Sequence, residues 1–381
     1  MKILQICPYD ISVPGGVQTH VLELSKALSA KGHEVHVCTP QPRGEVDRSN
    51  LWPDVYYIPP SKRYGIWGTS IDILKLSKTS LEKLMTWIID FQPDLVHFHT
   101  IWNPFFQHQL LHALPASMKK VATFHDTPPD RGPGSWLGAP LMKLATRYYF
   151  PRLNQIISVS ATQAKAMGIT NSQNCSFRII PNGVTDPKVS RETQPDKLES
   201  KNSRFTFLFI GRFEGRKGVL DVLEAFRRCR EAKIPKSIRL QLVGDGPLLA
   251  EIKTYISRYD LREVELMTKV DNAEKSRLLY EADLLVAPSK YGESFGIVLL
   301  EAMIHRLKVM GYGNAGYLTI GKRYDEQSFV QPSNLVELTE LMMQHVFEPE
   351  RFDYLIQKGY ELAQEYRWEK VSEKILEVYQ S

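Results

Sequence analysis

Two glutamates eight residues apart, Glu293 and Glu301, bracket the segment Tyr291-Gly-Glu-Ser-Phe-Gly-Ile-Val-Leu-Leu-Glu-Ala-Met303, which favours a helix from Ile297 onward. Ser294 is suited to cap that helix, and Gly296 leaves the backbone approachable. Free N–H groups and the positive end of the helix dipole should therefore face a phosphate. At about 1.5 Å per residue, Glu301 falls roughly 10 Å further along the axis. That span suits one carboxylate on a sugar and the other on a ribose, either side of a diphosphate. A nucleotide-sugar is the ligand these residues point to, although an ordinary buried helix with an acidic start would read the same from this fragment alone.

The second grouping is cationic. Phe209-Ile-Gly-Arg-Phe-Glu-Gly-Arg-Lys-Gly218 sets Arg212 and Lys217 in a glycine-bearing loop after a strand, where two cations can clamp a diphosphate and stabilise charge on a leaving group. A solvated basic loop is the plainer alternative. Pro14-Gly15-Gly16 follows the first strand, and its amides can approach a phosphate or sugar, or simply form a turn. His125 closes the strand-like Ala122-Thr-Phe-His125, where a neutral imidazole can donate to a sugar hydroxyl. His97 and His99 share one strand face as an HxH pair, but no carboxylate or cysteine is placed to complete a metal site, and no metal is expected.

Positioning these groups requires two series of alternating strands and helices, the pattern of a parallel, doubly wound α/β sheet. The first series opens with the strand Lys2–Cys7 and a helix from Gln18 to Lys31, then the strand Glu34–Cys38. Asp94–His99, Lys120–His125 and Gln155–Ser160 read as later strands, each ending in polar residues as strands do beside a ligand crevice. Residues 188–204 are polar, charged and nearly free of large apolar groups, which marks a linker. The second series runs through the strand Phe205–Ile210, a helix Gly218–Arg230, the strands Arg239–Val243 and Ala282–Ala287, the helix bearing Glu301, and the strand Leu307–Met310. A last helix spans Trp368 to Tyr379. Two such domains imply a cleft between the carboxyl ends of their sheets.

Composition narrows the class. A chain of 381 residues exceeds what one core usually serves, and 43% hydrophobic residues suffice for two. Four cysteines without CxxC spacing indicate neither a disulfide framework nor a zinc ribbon. No apolar run reaches the roughly 18–20 residues needed to span a bilayer, and the start lacks a signal-peptide core, so a cytoplasmic location is expected. The formal charge of +5 is concentrated around Arg212, Arg216, Lys217, Arg227, Arg228 and Arg230, which favours anionic small ligands or a membrane surface over nucleic acid. Apolar segments at 101–106 and 136–150, read mainly as core, lie near Lys62, Arg63, Lys143 and Arg147 in sequence and permit peripheral attachment at the inner face of a membrane.

Taken in order, Gly15-Gly16, the turn Ile180-Pro-Asn-Gly-Val184, Arg212 to Lys217, and Glu293 with Glu301 resemble a GT-B glycosyltransferase of the large retaining family GT4. The resemblance runs from end to end, and Cys7-Pro-Tyr-Asp-Ile-Ser-Val-Pro-Gly-Gly-Val-Gln-Thr-His20 is most similar to the phosphatidylinositol mannosyltransferase branch. It implies two Rossmann-like domains facing each other across a cleft. They are residues 1–187 with 366–381 on the acceptor side, the linker 188–204, and residues 205–365 for the nucleotide-sugar. The implied activity is retaining transfer of a hexose from a nucleotide-sugar to a lipid-linked or glycan acceptor, with neither metal nor other cofactor.

The resemblance also implies roles. Gly16 lends its amide to the donor diphosphate, Arg212 and Lys217 neutralise it, and Glu293 holds hydroxyls of the transferred sugar. Amides at Phe295 and Gly296 meet sugar and phosphate, Glu301 binds the ribose, His125 sits beside the anomeric centre, and Lys269, Val270 and Lys275 lie near the base. Tyr9, Gln18 and Arg63 fall on the acceptor side. A front-face attack with the donor phosphate accepting the acceptor proton follows, so preorganised cations carry catalysis rather than a protein base. The chain departs from the family in two places: His305 and Arg306 replace a tight small-residue turn, and Thr268 stands where relatives have glycine. A nucleotide-sugar epimerase, or an inactive sugar-nucleotide-binding subunit, is the alternative.

Overall fold

Strands flanked by helices on both faces read as near-continuous apolar runs, whereas the covering helices carry one apolar stripe each. The computed structural model describes all residues except 14, 43, 45–51, 67–68, 102–104, 128–134, 170–174, 188–203 and 233–235, so all of the expected linker but Arg204, which opens a strand, lies outside the described residues. It forms two compact units, Met1–Gly183 with Trp368–Ser381, and Val184–Arg367.

The first unit is built from β1 (Lys2–Ile6), α1 (Gly16–Ala30), β2 (Glu34–Pro40), β3 (Val55–Ile58), β4 (Lys62–Ile66), β5 (Thr69–Ile73), α2 (Lys78–Phe91), β6 (Leu95–His99), α3 (Phe106–Ala113), β7 (Lys119–Phe124), α4 (Ser135–Tyr149), β8 (Gln155–Ser158), α5 (Ala161–Met167) and β9 (Ser176–Ile179). Its seven-stranded sheet has the order β3-β2-β1-β6-β7-β8-β9 and is parallel throughout, while β4 and β5 form a separate antiparallel hairpin. Strand order reverses between β1 and β6, and ligands of such sheets bind beyond the carboxyl ends at that point.

The final helix, Trp368–Gln380, belongs to this unit. Trp368, Val371, Ile375, Val378 and Tyr379 recur at helical spacing and pack with Leu24 and Leu28 of α1 and with Ile3, Val35, Leu95, Val121 and Ile157 of the sheet. The Ile180–Val184 turn is fixed by the same contact: a Cβ on Gly183 would lie 2.4 Å from the Trp368 ring, so only glycine admits the indole.

The second unit contains β10 (Arg204–Ile210), α6 (Val219–Glu231), β11 (Ser237–Val243), α7 (Leu249–Arg258), β12 (Val264–Met267), α8 (Asn272–Glu281), β13 (Leu284–Ala287), α9 (Ile297–Ile304), β14 (Lys308–Tyr312), α10 (Leu318–Tyr324), β15 (Phe329–Val330), α11 (Leu335–Phe347) and α12 (Tyr354–Gln364). The six strands are parallel in the order β12-β11-β10-β13-β14-β15, so this sheet reverses between β10 and β13. With the last helix counted as α13, every predicted strand and helix is present, displaced by a few residues at its ends. α1 begins two residues earlier than the spacing suggested, and His125 falls just beyond β7 rather than within it.

Candidate active site

In the second unit the loops after β10 and β13 meet at the reversal point. The loop after β10 tightens into a 3-10 turn at Gly215–Lys217 and enters α6 through Gly218 at φ 72°. A Cβ there would lie 2.1 Å from the carbonyl oxygen of Pro288, so the close approach of the two loops demands glycine. Lys217 Nζ lies 2.5 Å from Glu293 Oε1, and Arg216 Nη1 lies 3.5 Å from the same oxygen. Arg216 Nε and Arg212 Nε each lie 3.0 Å from an oxygen of Glu214. Glu214 is buried at 1% exposure, whereas Arg212 stays half exposed, so a buried carboxylate holds two guanidinium groups at the loop.

Burial, the largest influence on Glu293, pushes its pKa up, but the charges of Lys217 and Arg216 and hydrogen bonds from Lys217 and Ser289 bring it below the ordinary carboxylate range. Glu293 is therefore ionised at neutral pH. Beneath it, Ser289 Oγ and the Tyr317 hydroxyl lie 3.1 Å apart, and Asn314 Nδ2 donates to the Ser289 carbonyl at 2.8 Å. Glu214 escaped the sequence reading, and Arg216 entered it only as one of the basic cluster; the acid between two basic residues in Arg212-Phe-Glu-Gly-Arg-Lys217 was the available signal.

Glu301 lies on α9 and is not a bare surface acid. Lys275 Nζ of α8 donates to both its oxygens at 2.7 Å. The expected Ser294 cap is corrected: α9 starts at Ile297, with Gly296 as the N-cap residue at φ 94° and no side-chain cap. The turn from Gly292 to Gly296 delays the helix, and the left-handed glycine at the N-cap has no side chain to offer the amides of the first turn. Phe295 is buried and packs on Tyr366, with ring centres 5.7 Å apart. Lys269, at φ 59°, and Val270 lie in the loop between β12 and α8, the helix that carries Lys275.

In the first unit, α1 opens on Gly16 with Gly15 as an extended N-cap residue and no side-chain cap. The Gln18 amide packs so closely on Gly15 that a Cβ there would lie 2.4 Å from its oxygen. Tyr9 packs with Cys7, Ile11, Val21 and Val37, and its carbonyl accepts from Thr39 Oγ1 at 2.7 Å. Arg63 sits on β4, paired in register with Asp72, and its side chain lies outside the described residues.

His125 is one of a buried group of imidazoles. His99 Nε2 donates to Gln5 Oε1 at 2.6 Å, which leaves His99 Nδ1 to accept from His125 Nε2 at 3.0 Å. This corrects the expected donor role: the remaining nitrogen of neutral His125, Nδ1, is an acceptor. His97 turns instead to Tyr379 at 2.6 Å and Thr123 at 2.7 Å. The HxH pair thus divides, and His20 of α1, four residues beyond Gly16, joins His99 and His125. His20 Nδ1 donates to Asn182 Oδ1 at 3.0 Å. Burial pushes the His20 pKa down to about 4, opposed by that hydrogen bond. Burial, then the neighbouring imidazoles, hold His99 and His125 well below the ordinary value. At neutral pH the cluster is uncharged, able to exchange hydrogen bonds or offer lone pairs.

Several apolar residues of the segments read mainly as core are on the surface, Phe105 among them. On α4, Leu141 and Tyr148 are exposed, with Leu144 between them at helical spacing and Lys143 and Arg147 beside them. Tyr148 is held by His112 at 2.7 Å and by the Arg152 guanidinium, 4.1 Å above its ring. Among the described residues, no helix is long and apolar enough to cross a membrane.

Residues 14–186 match the family described as Glycosyltransferase Family 4, and residues 190–362 match Glycosyl transferases group 1. The chain is 28% identical to a phosphatidyl-myo-inositol mannosyltransferase from Mycolicibacterium smegmatis, covering 100% of this chain and 94% of that protein. It is 26% identical to the protein of that name from Mycobacterium leprae, covering 100% and 97%. Among solved structures it resembles HepE of Anabaena, crystallised with UDP and glucose, at a TM-score of 0.76 and 17% identity over 100% of both chains. The two parallel sheets and this likeness identify the fold as GT-B.

Proposed function

We propose, proceeding from the fact that this chain belongs to glycosyltransferase family 4 and is a glycosyltransferase, that it moves a hexose from a nucleotide-sugar to a lipid-linked or glycan acceptor with retention of configuration and without a metal ion. The observation that carries the reading is the ion-paired set at the β10–β13 reversal, where Arg212, Arg216 and Lys217 surround Glu214 and Glu293. Three cations against two carboxylates leave a net positive loop at the place where a diphosphate departs, which supplies the charge stabilisation that a metal would otherwise give. Glu293, paired to Lys217, grips sugar hydroxyls rather than attacking carbon. The acceptor then enters from the side the diphosphate leaves, and its proton passes to the donor phosphate.

Glu301 takes the ribose hydroxyls in exchange for Lys275, the amides of Gly16, Phe295 and Gly296 meet phosphate or sugar, and the backbone at Lys269 and Val270 lies by the base. His125 accepts from a hydroxyl of the transferred sugar. Tyr9, Gln18 and Arg63 serve the acceptor. The lipid alternative for the acceptor draws support from the mannosyltransferases named above and from the Leu141–Leu144–Tyr148 stripe with its adjacent cations, suited to an anionic bilayer at the cytoplasmic face.

Incubation with a panel of UDP-, GDP- and ADP-sugars, with and without lipid extract and in the presence of EDTA, tests the proposal. Chelator-insensitive transfer to extract with the anomeric configuration kept is the expected result. An isomerised donor, or nucleotide binding with no product, would replace it.

A further inference from the structure

The reaction gives work to one of the three clustered imidazoles and none to the other two. One ring nitrogen each of His20, His99 and His125 lies within 4.8 Å of the others. Their ring centres are 4.5 Å apart for His20 and His125, 5.3 Å for His20 and His99, and 5.3 Å for His99 and His125. An ion held at about 2.0–2.1 Å by an imidazole nitrogen lies about 3.2 Å from that ring's centre, so rings spread at about 90–112° around one ion have centres about 4.5–5.3 Å apart. The observed triangle has those dimensions.

The hydrogen bonds around the cluster point the same way. Metal-binding histidines commonly donate their second nitrogen to an oxygen that fixes the tautomer. His99 donates Nε2–H to Gln5, and His20 donates Nδ1–H to Asn182, so His99 Nδ1 and His20 Nε2 carry lone pairs. His20 Nε2 is buried and has no hydrogen-bond partner, a costly arrangement for a polar atom unless something else occupies it.

We infer that His20, His99 and His125 form a binding site for a borderline divalent metal ion of the zinc class, and that its occupancy silences the enzyme by taking up His125. On binding, the His99–His125 hydrogen bond opens and the His125 proton moves from Nε2 to Nδ1 through solvent. Three neutral nitrogens then hold the ion, with a fourth position for water. The inhibition rests on the role given to His125 above; the binding does not.

The test uses the full chain freed of metal by EDTA and dialysis. Zinc alone is titrated calorimetrically, and cobalt(II) reports geometry through its visible d–d bands. One equivalent of zinc and a tetrahedral cobalt spectrum are expected. His20→Gln should abolish both, and Asn182→Ala, which removes only the orienting oxygen, should weaken zinc binding by about 10–100-fold. The surface pair His108 and His112, with ring centres 4.4 Å apart, is the competing site, so His112→Ala should change nothing. Absence of stoichiometric zinc binding in the unmodified protein, or binding that survives His20→Gln or vanishes with His112→Ala, would overturn the site. Zinc should stop transfer and EDTA restore it; His20-dependent binding without inhibition would leave the site standing and remove His125 from the reaction.

Discussion

Replacing Lys217 by alanine separates charge stabilisation from mere ligand binding. The Lys217 side chain is 19% exposed and pairs with a Glu293 side chain that is 11% exposed, so its charge acts in a poorly solvated setting. Loss of one preorganised donor aimed at developing negative charge costs about 2.7–4 kcal/mol, a fall of about 10²–10³ in kcat. Only the charge that grows between bound donor and transition state counts towards kcat, so the donor KM should rise less than about tenfold. Glu293 is not stranded by the change, because Arg216 and Ser289 still reach it. The stability loss should therefore be about 1–2 kcal/mol, below the 3–5 that an abandoned buried charge costs. Initial rates with labelled donor, pyrophosphate binding by calorimetry and a melting curve measure the three quantities. Glu293→Gln provides the opposite sign: it frees Lys217, so pyrophosphate should bind more tightly while transfer falls. A folded Lys217→Ala enzyme with kcat within about threefold of the unmodified protein would refute the charge argument outright.

Glu301→Gln should raise the donor KM about tenfold with little change in kcat, since a ribose contact is made alike in ground and transition states; steady-state kinetics checks it. Arg306 lies at φ 60° just past α9, so Arg306→Gly should be more stable than Arg306→Ala by about 1 kcal/mol in urea denaturation, the alanine retaining the strain. His345 is buried, stacked on Phe352 with ring centres 3.8 Å apart, and burial holds its pKa down to about 3. Because the unfolded state takes up the proton first, stability is fully present above about pH 6.5 and falls as pH drops towards 3, by about 2 kcal/mol at pH 5. His345→Phe should flatten that slope when melting temperatures are compared at pH 7.5 and 5. Leu141→Glu with Leu144→Glu should abolish co-sedimentation with anionic vesicles while leaving transfer to a soluble acceptor intact; binding that survives would place any membrane contact elsewhere.

Strands were legible because burial on both faces leaves an almost unbroken apolar run, as in Phe205-Thr-Phe-Leu-Phe-Ile210. Among the strands that went unread, several lack that signature. β9 is largely exposed, β4 and β5 form a hairpin beside the main sheet, and β12 is half-buried along its length. Helix starts were less legible than helix bodies. α9 begins at a left-handed glycine, a conformation no spacing of apolar residues encodes, and the serine two positions earlier resembles a cap only in type.

The site was legible where chemistry follows chain order and obscure where it depends on neighbours from other elements. Glu293 and Lys217 could be paired by role from sequence, but the buried Glu214 between two arginines could not, because an acid in a basic loop looks solvated until its exposure is known. His20 shows the same limit, since helix α1 and strands β6 and β7 bring it to His99 and His125 from distant segments. The departure at His305 and Arg306 is explained by the same reasoning. Arg306 adopts the left-handed conformation that a glycine would favour, with Leu307 N–H donating to the Ala302 carbonyl at 3.0 Å, so the tight turn survives. His305 uses Nδ1 on the Glu301 carbonyl and Nε2 on Ser276, each at 2.7 Å, tying the helix of Glu301 to the helix of Lys275. The bulk that seemed to threaten the turn instead fastens together the two helices whose Glu301 and Lys275 form one ion pair, so the departure strengthens the donor-side framework at the cost of one strained residue.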